Sequence, residues 1–215
     1  MATFDTDTKH DFDLEVVKTE FKKCRVHDDR LLLDNYLNAF TELNRFFRLS
    51  GRIFGFVAKD LEDKIHILQS HRKSDKGERY ESIQGMVNYE KSNQLLQVKG
   101  HLPSGSRTLL RLHRASEFIL TFMARMSESD DHDKSSHIAA EVYSQTLAKH
   151  HPWLVQKMAG VAMYILPSRK QLLETMCKHD YAHVSTLLNE TVSAGKPVYE
   201  ITQKLYEEND LLDLP

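Results

Sequence analysis

Basic and aromatic side chains follow one another along a single predicted helix. Arg107, Arg111 and Arg114 lie three or four residues apart in the stretch SGSRTLLRLHRASEFILTFMARM, and Phe118 and Phe122 continue this spacing. Side chains at such intervals share one face of an α-helix, and this face begins cationic and becomes aromatic. It therefore suits an amphiphilic molecule with an anionic head group. The alternative is a surface helix with solvated arginines, whose leucines supply the core.

An acid and a base interrupt the apolar face of an earlier helix. In the stretch RIFGFVAKDLEDKIHIL, Asp60 and Lys64 fall in line with Ile53, Val57 and Ile67. Burying a charge is costly unless it is paired, so an inward-facing pair would indicate a polar site. If the pair lies at the edge of the face, it is an ordinary solvated pair one helical turn apart. Both interpretations are open from the spacing alone.

Two histidines precede a Pro-Trp step in the stretch AKHHPWLVQKMAGVAMYIL. His150 and His151 are adjacent, so their side chains diverge and form a poor metal pair; we expect no zinc site. One of them, facing inward, could donate to a polar ligand group, and the alternative is a solvated or capping histidine. Trp153 suits either the core or a membrane interface, because indole is apolar with one polar donor.

Composition narrows the function classes. The chain has 215 residues, 40% of them hydrophobic, which predicts one domain with a substantial core. Its net charge of −2 excludes a general cationic field for nucleic acid, so any anion site is local. The two cysteines, Cys24 and Cys177, indicate buried thiols in a reducing compartment. No signal peptide or membrane span is visible, which predicts a soluble cytosolic protein.

The periodicity predicts helices nearly throughout and no strand. Asp11 or Asp13 begins a first helix that reaches Cys24, and Pro103, Ser104 and Gly105 introduce the arginine helix. Pro152 begins a helix that Pro167 closes. Residues 1–10 are expected to be a flexible segment and 11–215 a single domain. The other predicted helices are 32–49, 53–69, 80–96, 137–150 and three shorter ones near 168–177, 180–192 and 197–208.

Four segments resemble the glycolipid transfer protein superfamily, within it the branch for ceramide-1-phosphate. They are AKDLEDKI, RTLLRLHRASEFI, AKHHPWLVQKMAGVAMYILPSR and ITQKLYEENDLLDLP, and the similarity runs from about Asp13 to Pro215. The resemblance implies an all-α, two-layer helical sandwich of about eight helices. It further implies a sphingolipid whose head group binds at the surface while its chains enter an apolar pocket between the layers.

Head-group roles follow from the same resemblance. Asp60 would accept from the ceramide amide and hydroxyl, and His151 would donate to the amide carbonyl. Arg114 would support the site through Asp60. The phosphate would be held by three cations, which are Lys64, Arg107 and Arg111.

Two positions indicate phosphate rather than sugar. Family members that carry sugar-headed lipids have asparagine in place of Lys64 and tryptophan in place of Arg111, and both positions are cations here. Arginine forks and an ammonium suit the oxygens of a phosphate monoester. Trp153 is the expected membrane contact. The apolar pocket is expected to use nine side chains, each of which could instead be ordinary core: Phe47, Phe54, Val57, Leu61, Phe118, Phe122, Val155, Met158 and Ala162.

The expected function is non-enzymatic, non-vesicular transfer of ceramide-1-phosphate between membranes. We expect no metal, no cofactor and no nucleic acid, and a monomeric cytosolic protein that contacts membranes transiently. The leaflets concerned would be those of the Golgi, plasma membrane, endosomes or nuclear envelope. One alternative is a sphingolipid sensor that binds lipid without moving it in bulk. Another is a lipid hydrolase that uses Asp60 and His151.

Overall fold

Helices make up nearly all of the regular structure. A computed structural model of the protein describes residues 12–97, 102–130, 132–174 and 181–215. Short 3₁₀ turns and two isolated antiparallel bridges, Arg25 with Leu31 and Leu32 with Ser82, connect the helices in this part of the chain. The predicted all-helical fold is confirmed. The α-helices are α1 (Leu14–Cys24), α2 (Leu33–Leu49), α3 (Gly55–Arg72), α4 (Ile83–Ser92), α5 (Gly105–Glu128), α6 (Ser135–Gln145), α7 (Trp153–Tyr164), α8 (Arg169–Glu174) and α9 (Tyr181–Glu208).

Local capping signals place several helix starts. The Asp13 carboxylate accepts from the backbone N–H of Glu15 and caps α1, while the other predicted candidate, Asp11, lies outside the described residues. Ser104 caps α5 by accepting from the backbone N–H of Arg107 at 3.2 Å. Pro152 stands directly before the first residue of α7. The side-chain caps of Asp13 and Ser104 satisfy N–H groups that have no partner within the helix.

The last helix differs from the prediction. Residues 180–192 and 197–208 were expected to form separate helices with Pro197 at the second start, but α9 continues through Pro197. Proline removes one hydrogen bond from a helix interior, a cost that packing on both sides offsets. At Gly195, a side-chain carbon would lie 2.6 Å from Leu120 and 3.2 Å from Phe21. This close approach holds α9 against α5 and α1 beside the proline.

A ring of five helices surrounds the core. Each helix in the series α1, α2, α3, α5 and α9 contacts the next one, and α9 also contacts α1. α4 and α6 pack on α5, while α7 packs on α6. Cys24 is buried in this core as a free thiol, and Cys177 lies outside the described residues. The arrangement places α5 at the centre, with α3 on one side and α6 on another.

A buried carboxylate fixes the start of α5. Glu90 on α4 accepts from the backbone N–H groups of Gly105 at 2.6 Å and Ser106 at 2.8 Å, and from the hydroxyl of Tyr80 at 3.0 Å. A negative charge at this end also complements the helix dipole. Because the carboxylate is buried, it sets the position of α5 relative to α4. The arginines of the following two turns are therefore carried by an anchored helix.

The buried contact between α5 and α9 includes a histidine. His113 lies on α5, with Nε2 2.7 Å from Oε1 of Gln203 and its ring stacked on Tyr199 at 4.5 Å. Burial lowers the pKa of His113 to about 4, so the imidazole is neutral near pH 7. His113 is thus part of the packing of α5, on the side away from the arginine face.

Candidate functional site

A cavity of about 670 Å³ opens between α3, α5 and α7. The end of α2, Tyr143 on α6, the turn before α7 and the segment after α9 complete its wall. One end is polar and the rest is apolar, so the cavity has the polarity of an amphiphile. Its lining is Phe47, Phe54, Phe56, Val57, Asp60, Leu61, Lys64, Arg111, Arg114, Ala115, Phe118, Ile119, Tyr143, Leu147, His150, His151, Pro152, Val155, Ala159, Ala162, Met163, Leu214 and Pro215.

On α3, Asp60 and Lys64 form an ion pair at the polar end of the cavity. The Lys64 ammonium donates to Oδ1 of Asp60 one helical turn earlier. The lysine side chain is only 12% exposed, whereas the aspartate side chain is 65% exposed. The pair is thus neither fully buried nor simply solvated. Asp60 presents a fixed acceptor at the cavity, and a sheltered cation lies beside it.

The arginines at positions 107, 111 and 114 of α5 differ in their surroundings. Arg111 lines the cavity, is exposed, and makes no hydrogen bond or ion pair with any described residue. Arg107 is outside the lining, and its Nε donates to the main-chain oxygen of Pro215, which does line the cavity. A third predicted cation, Lys64, lines the same cavity from α3. Of the three predicted phosphate ligands, the structure brings Lys64 and Arg111 together and places Arg107 at the rim.

Arg114 does not bond to Asp60 as expected. Its Nη2 instead donates to the main-chain oxygen of Leu212 at 2.7 Å. The half-buried guanidinium needs an acceptor. Because Asp60 is already paired with Lys64, the segment after α9 supplies this acceptor. Arg114 therefore links the cavity wall to this segment.

The polar end carries excess positive charge. Among the side chains that line the cavity, Lys64, Arg111 and Arg114 are cations and Asp60 is the one carboxylate, so the side-chain charges sum to +2. Burial and the neighbouring Arg111 lower the pKa of Arg114, against the opposing effect of Asp213. The whole chain has a net charge of −2. This end of the cavity is thus a local anion site in a weakly acidic protein.

Both histidines of the His-His step reach the cavity. The Nδ1 atom of His151 lies 2.8 Å from the hydroxyl oxygen of Tyr143. Burial lowers the pKa of His151, with a further lowering from Lys64, although Asp60 acts in the opposite sense. Burial and the charge of Arg114 also lower the pKa of His150. Near pH 7 both rings are therefore neutral and can donate or accept hydrogen bonds.

The apolar part of the cavity contains most of the predicted pocket residues. Seven of the nine line it: Phe47, Phe54, Val57, Leu61, Phe118, Val155 and Ala162. An adjoining apolar void of about 60 Å³ shares the side chains of Phe47, Phe54 and Phe118 with the cavity. Phe122 lines the void but not the cavity. The rings of Phe118 and Phe122 stack at 5.9 Å, 5° from parallel. The cationic face of α5 therefore does continue into an aromatic wall.

Met158 is the predicted pocket residue that lines neither space. Its side chain is 40% exposed. On α7, residues 155, 159 and 162 recur at helical spacing and face the cavity, whereas residues 154, 158, 161 and 165 form the opposite face. Met158 thus belongs to the outer surface. The apolar sequence of α7 did not distinguish its two faces.

The outer face of α7 is a patch of exposed apolar side chains. Trp153 is 70% exposed, and the ammonium of Lys157 lies 5.7 Å from the centre of its ring. Exposed apolar patches usually mark contact surfaces. The patch contains Trp153, Leu154, Met158, Val161, Tyr164 and Ile165.

Several lining residues were not anticipated from the sequence. Tyr143 carried no signal of a site residue in the sequence, and Leu214 and Pro215 belong to a segment without helical periodicity. His150 and Ile119 also line the cavity. A possible signal for Tyr143 is its position eight residues before His151, but only the turn at 148–150 brings the two side chains together.

This arrangement can hold an anionic head group beside buried apolar chains. Neutral histidines and an exposed carboxylate supply donors and acceptors between the two. Among the described residues, no group of three or more His, Cys, Asp or Glu side chains is placed to hold a metal ion. No helix in the described ranges is long and apolar enough to cross a membrane.

Known proteins are similar to this chain in sequence and fold. The family model for glycolipid transfer protein matches residues 31–178. A ceramide-1-phosphate transfer protein from Mus musculus is 39% identical over 214 residues, which cover 97% of this chain and 99% of that protein. The apo crystal structure of the mouse protein matches with a TM-score of 0.90 at 39% identity, covering 95% of this chain and all of that one. The human protein in complex with 12:0 ceramide-1-phosphate matches with a TM-score of 0.88 at 38% identity, over 95% and 100% of the two chains.

Proposed function

The chain belongs to the glycolipid transfer protein family, and we propose that it carries ceramide-1-phosphate between membranes. One observation supports this most strongly: the large apolar cavity ends in a polar site whose side-chain charges sum to +2, with Lys64 and Arg111 among its cations. Relatives that share more than a third of its residues are ceramide-1-phosphate transfer proteins. Site and relatives therefore favour the same ligand.

The charge of the site matches a phosphate monoester. Such a group carries about −1.5 to −2 charges at pH 7 and presents three acceptor oxygens. Arg111 can offer two parallel N–H groups, and Lys64 an ammonium. Arg107 adds a third cation at the rim once its N–H turns from Pro215 to the phosphate. A neutral sugar would leave these cations unpaired.

The ceramide part would bind between α3 and α7. Asp60 accepts from the lipid amide N–H and hydroxyl, and His151 donates to the amide carbonyl. Both side chains line the cavity. Asp60 has Val57 and Lys64 as neighbours in the lining of α3, and His151 contacts Tyr143, whose ring packs on Phe118. Recognition of the amide therefore lies directly between the phosphate site and the chain pocket.

The chains supply most of the binding free energy. Each methylene group removed from water contributes about 0.8 kcal/mol, so ten buried methylenes contribute roughly 8 kcal/mol. The aromatic wall formed by Phe47, Phe54 and Phe118 extends towards the adjoining void and offers this burial. The chains thus determine how tightly the lipid binds, while the head-group site determines which lipid binds.

The outer face of α7 is the proposed membrane contact. Trp153 has an apolar ring with one polar donor, the combination that favours the interface between lipid head groups and chains. The opposite face of the same helix lines the cavity through Val155 and Ala162. A membrane that touches α7 is therefore one helix diameter from the lipid site. This contact is transient, at cytosolic leaflets, and the carrier works as a monomer.

Transfer between two vesicle populations tests the proposal. Donor vesicles contain fluorescent ceramide-1-phosphate and a quencher, acceptor vesicles contain neither, and fluorescence rises as the protein moves lipid. The expected result is a protein-dependent rise, with all lipid recovered intact after long incubation. Tight binding without transfer would indicate a sensor, and cleaved lipid would indicate a hydrolase. Either outcome contradicts the carrier function.

A further inference from the structure

Tyr143 joins the polar and apolar parts of the cavity. The side chain is buried on α6, with its hydroxyl oxygen 2.8 Å from Nδ1 of His151. Its ring packs edge-on against Phe118, with ring centres 6.3 Å apart and planes at 83°. A buried tyrosine hydroxyl usually has a hydrogen-bond partner, and His151 is that partner here. None of the proposed lipid contacts uses this hydroxyl.

The direction of this hydrogen bond follows from the available partners. A neutral imidazole has one N–H donor and one acceptor nitrogen. Burial lowers the pKa of His151 and raises the pKa of Tyr143, so a neutral ring meets a protonated phenol. Among the described residues, the Tyr143 hydroxyl has no second hydrogen-bond partner. Within the described part of the protein, Nδ1 is therefore the acceptor that can take its proton.

Donation to Nδ1 also determines which nitrogen of the His151 ring carries the proton. With Nδ1 as acceptor, the imidazole proton must reside on Nε2. Nε2 makes no hydrogen bond with any described residue, and His151 lines the cavity. The ring therefore presents an N–H group, rather than a lone pair, to a molecule in the cavity.

We propose that Tyr143 is a positioning residue that holds His151 in its Nε2–H tautomer, ready to donate to the amide carbonyl of the bound lipid. This inference rests on the proposed function, because it concerns that carbonyl. In the opposite tautomer, Nε2 would be an acceptor facing another acceptor, and the hydrogen bond to the lipid could not form. The packing of Tyr143 on Phe118 fixes where the hydroxyl lies. The wall of the chain pocket thus also orients the head-group donor.

A double-mutant cycle tests whether Tyr143 acts through His151. Tyr143→Phe removes the hydroxyl and keeps the ring, and we expect it to weaken ceramide-1-phosphate binding about three- to ten-fold. In a His151→Ala background, the same change should cost no further affinity. Tyr89→Phe removes a hydroxyl from α4 outside the cavity and should leave affinity unchanged. Equal losses in both backgrounds would show a merely structural role and overturn the inference.

Nitrogen NMR of the histidine rings tests the tautomer without lipid. In the free protein at neutral pH, His151 should show a protonated Nε2 and an unprotonated Nδ1, assigned by the signals that disappear in His151→Ala. Tyr143→Phe should shift the Nδ1 resonance of His151, and Tyr89→Phe should not. A protonated Nδ1 in the unmodified chain would overturn the inference. An Nδ1 resonance that does not shift in Tyr143→Phe would overturn it as well.

These measurements separate the two proposals. The NMR result concerns the free protein and can support the tautomer even if no ceramide-1-phosphate is transferred between vesicles. Conversely, normal transfer together with a protonated Nδ1 would leave the carrier function standing and remove the role of Tyr143.

Discussion

Replacing Arg111 by leucine should abolish ceramide-1-phosphate transfer without disturbing the fold. Arg111 is exposed and makes no hydrogen bond or ion pair with a described residue, so its loss removes neither kind of interaction with the described part of the free protein. Exposed substitutions of this kind change the free energy of unfolding by about 0.5 kcal/mol or less. For a chain of this length, the melting temperature should therefore move by about 2 °C at most.

The loss in lipid affinity should be far larger. Two N–H groups of Arg111 would donate to the phosphate, and a hydrogen bond to a charged group contributes about 1.5–3 kcal/mol. Losing both costs at least about 3 kcal/mol, which is roughly a hundred-fold in affinity. The substitution also lowers the net charge of the cavity lining from +2 to +1.

Vesicle transfer and thermal unfolding, measured on the same preparation, check this prediction. Arg79→Leu makes the same chemical change at an exposed position outside the cavity and serves as the matched control. Arg79→Leu should transfer normally, and Arg111→Leu should transfer at background rate with an unchanged melting temperature. If Arg111→Leu transfers at the normal rate, the assignment of the phosphate site is refuted.

Three further predictions concern other parts of the molecule. Asp60→Ala should reduce transfer of ceramide-1-phosphate by about ten-fold or more, because the carboxylate binds the ceramide part; the vesicle-transfer assay checks this, and transfer at the normal rate would contradict that role. Trp153→Ser should weaken sedimentation with vesicles about ten-fold, without lowering affinity for detergent-solubilised lipid, because the indole lies on the outer face of α7. The pKa of His113 is lowered to about 4 from an ordinary value near 6.5, so the unfolded chain binds its proton first as the pH falls. Its contribution to stability is therefore present above pH 6.5 and lost towards pH 4, and urea unfolding should show a fall between pH 7 and 4.5 that is roughly 2 kcal/mol smaller in His113→Gln.

Helix starts could be predicted because their signals are local. Ser104 caps α5 and Asp13 caps α1, each by bonding a backbone N–H two or three residues away. The continuity of α9 could not be predicted in this way. Pro197 is a local signal for a break, and it is overruled by the close packing of Gly195 on Leu120, which lies far away in the chain.

Predicting the site required more than the spacing of residues along the chain. Spacing placed the arginines of α5 on one face, and it placed Asp60 beside Lys64. Only the family resemblance put these groups in one site with His151, because local periodicity carries no information about which helices meet. The contacts of Arg107 with Pro215 and of Arg114 with Leu212 involve a segment with no periodic pattern at all.

Face assignments were least certain where a helix is apolar all round. In α7, Val155 and Ala162 line the cavity whereas Met158 faces outward, although all three are equally apolar in sequence. Tyr143 illustrates the reverse case. A tyrosine within an apolar face is ordinary core by its pattern, and its hydrogen bond to His151 exists only in the folded chain.

Direct competition between head groups tests the central claim most simply. The protein is mixed with equal amounts of ceramide-1-phosphate and glucosylceramide that have identical chains, and the bound lipid is weighed by native mass spectrometry. Because the chains are the same, only the head-group site can discriminate. The charge of the site predicts a complex of one protein with one ceramide-1-phosphate, in large excess over the sugar lipid. Equal occupancy, or an excess of glucosylceramide, would contradict recognition of phosphate by Lys64 and Arg111.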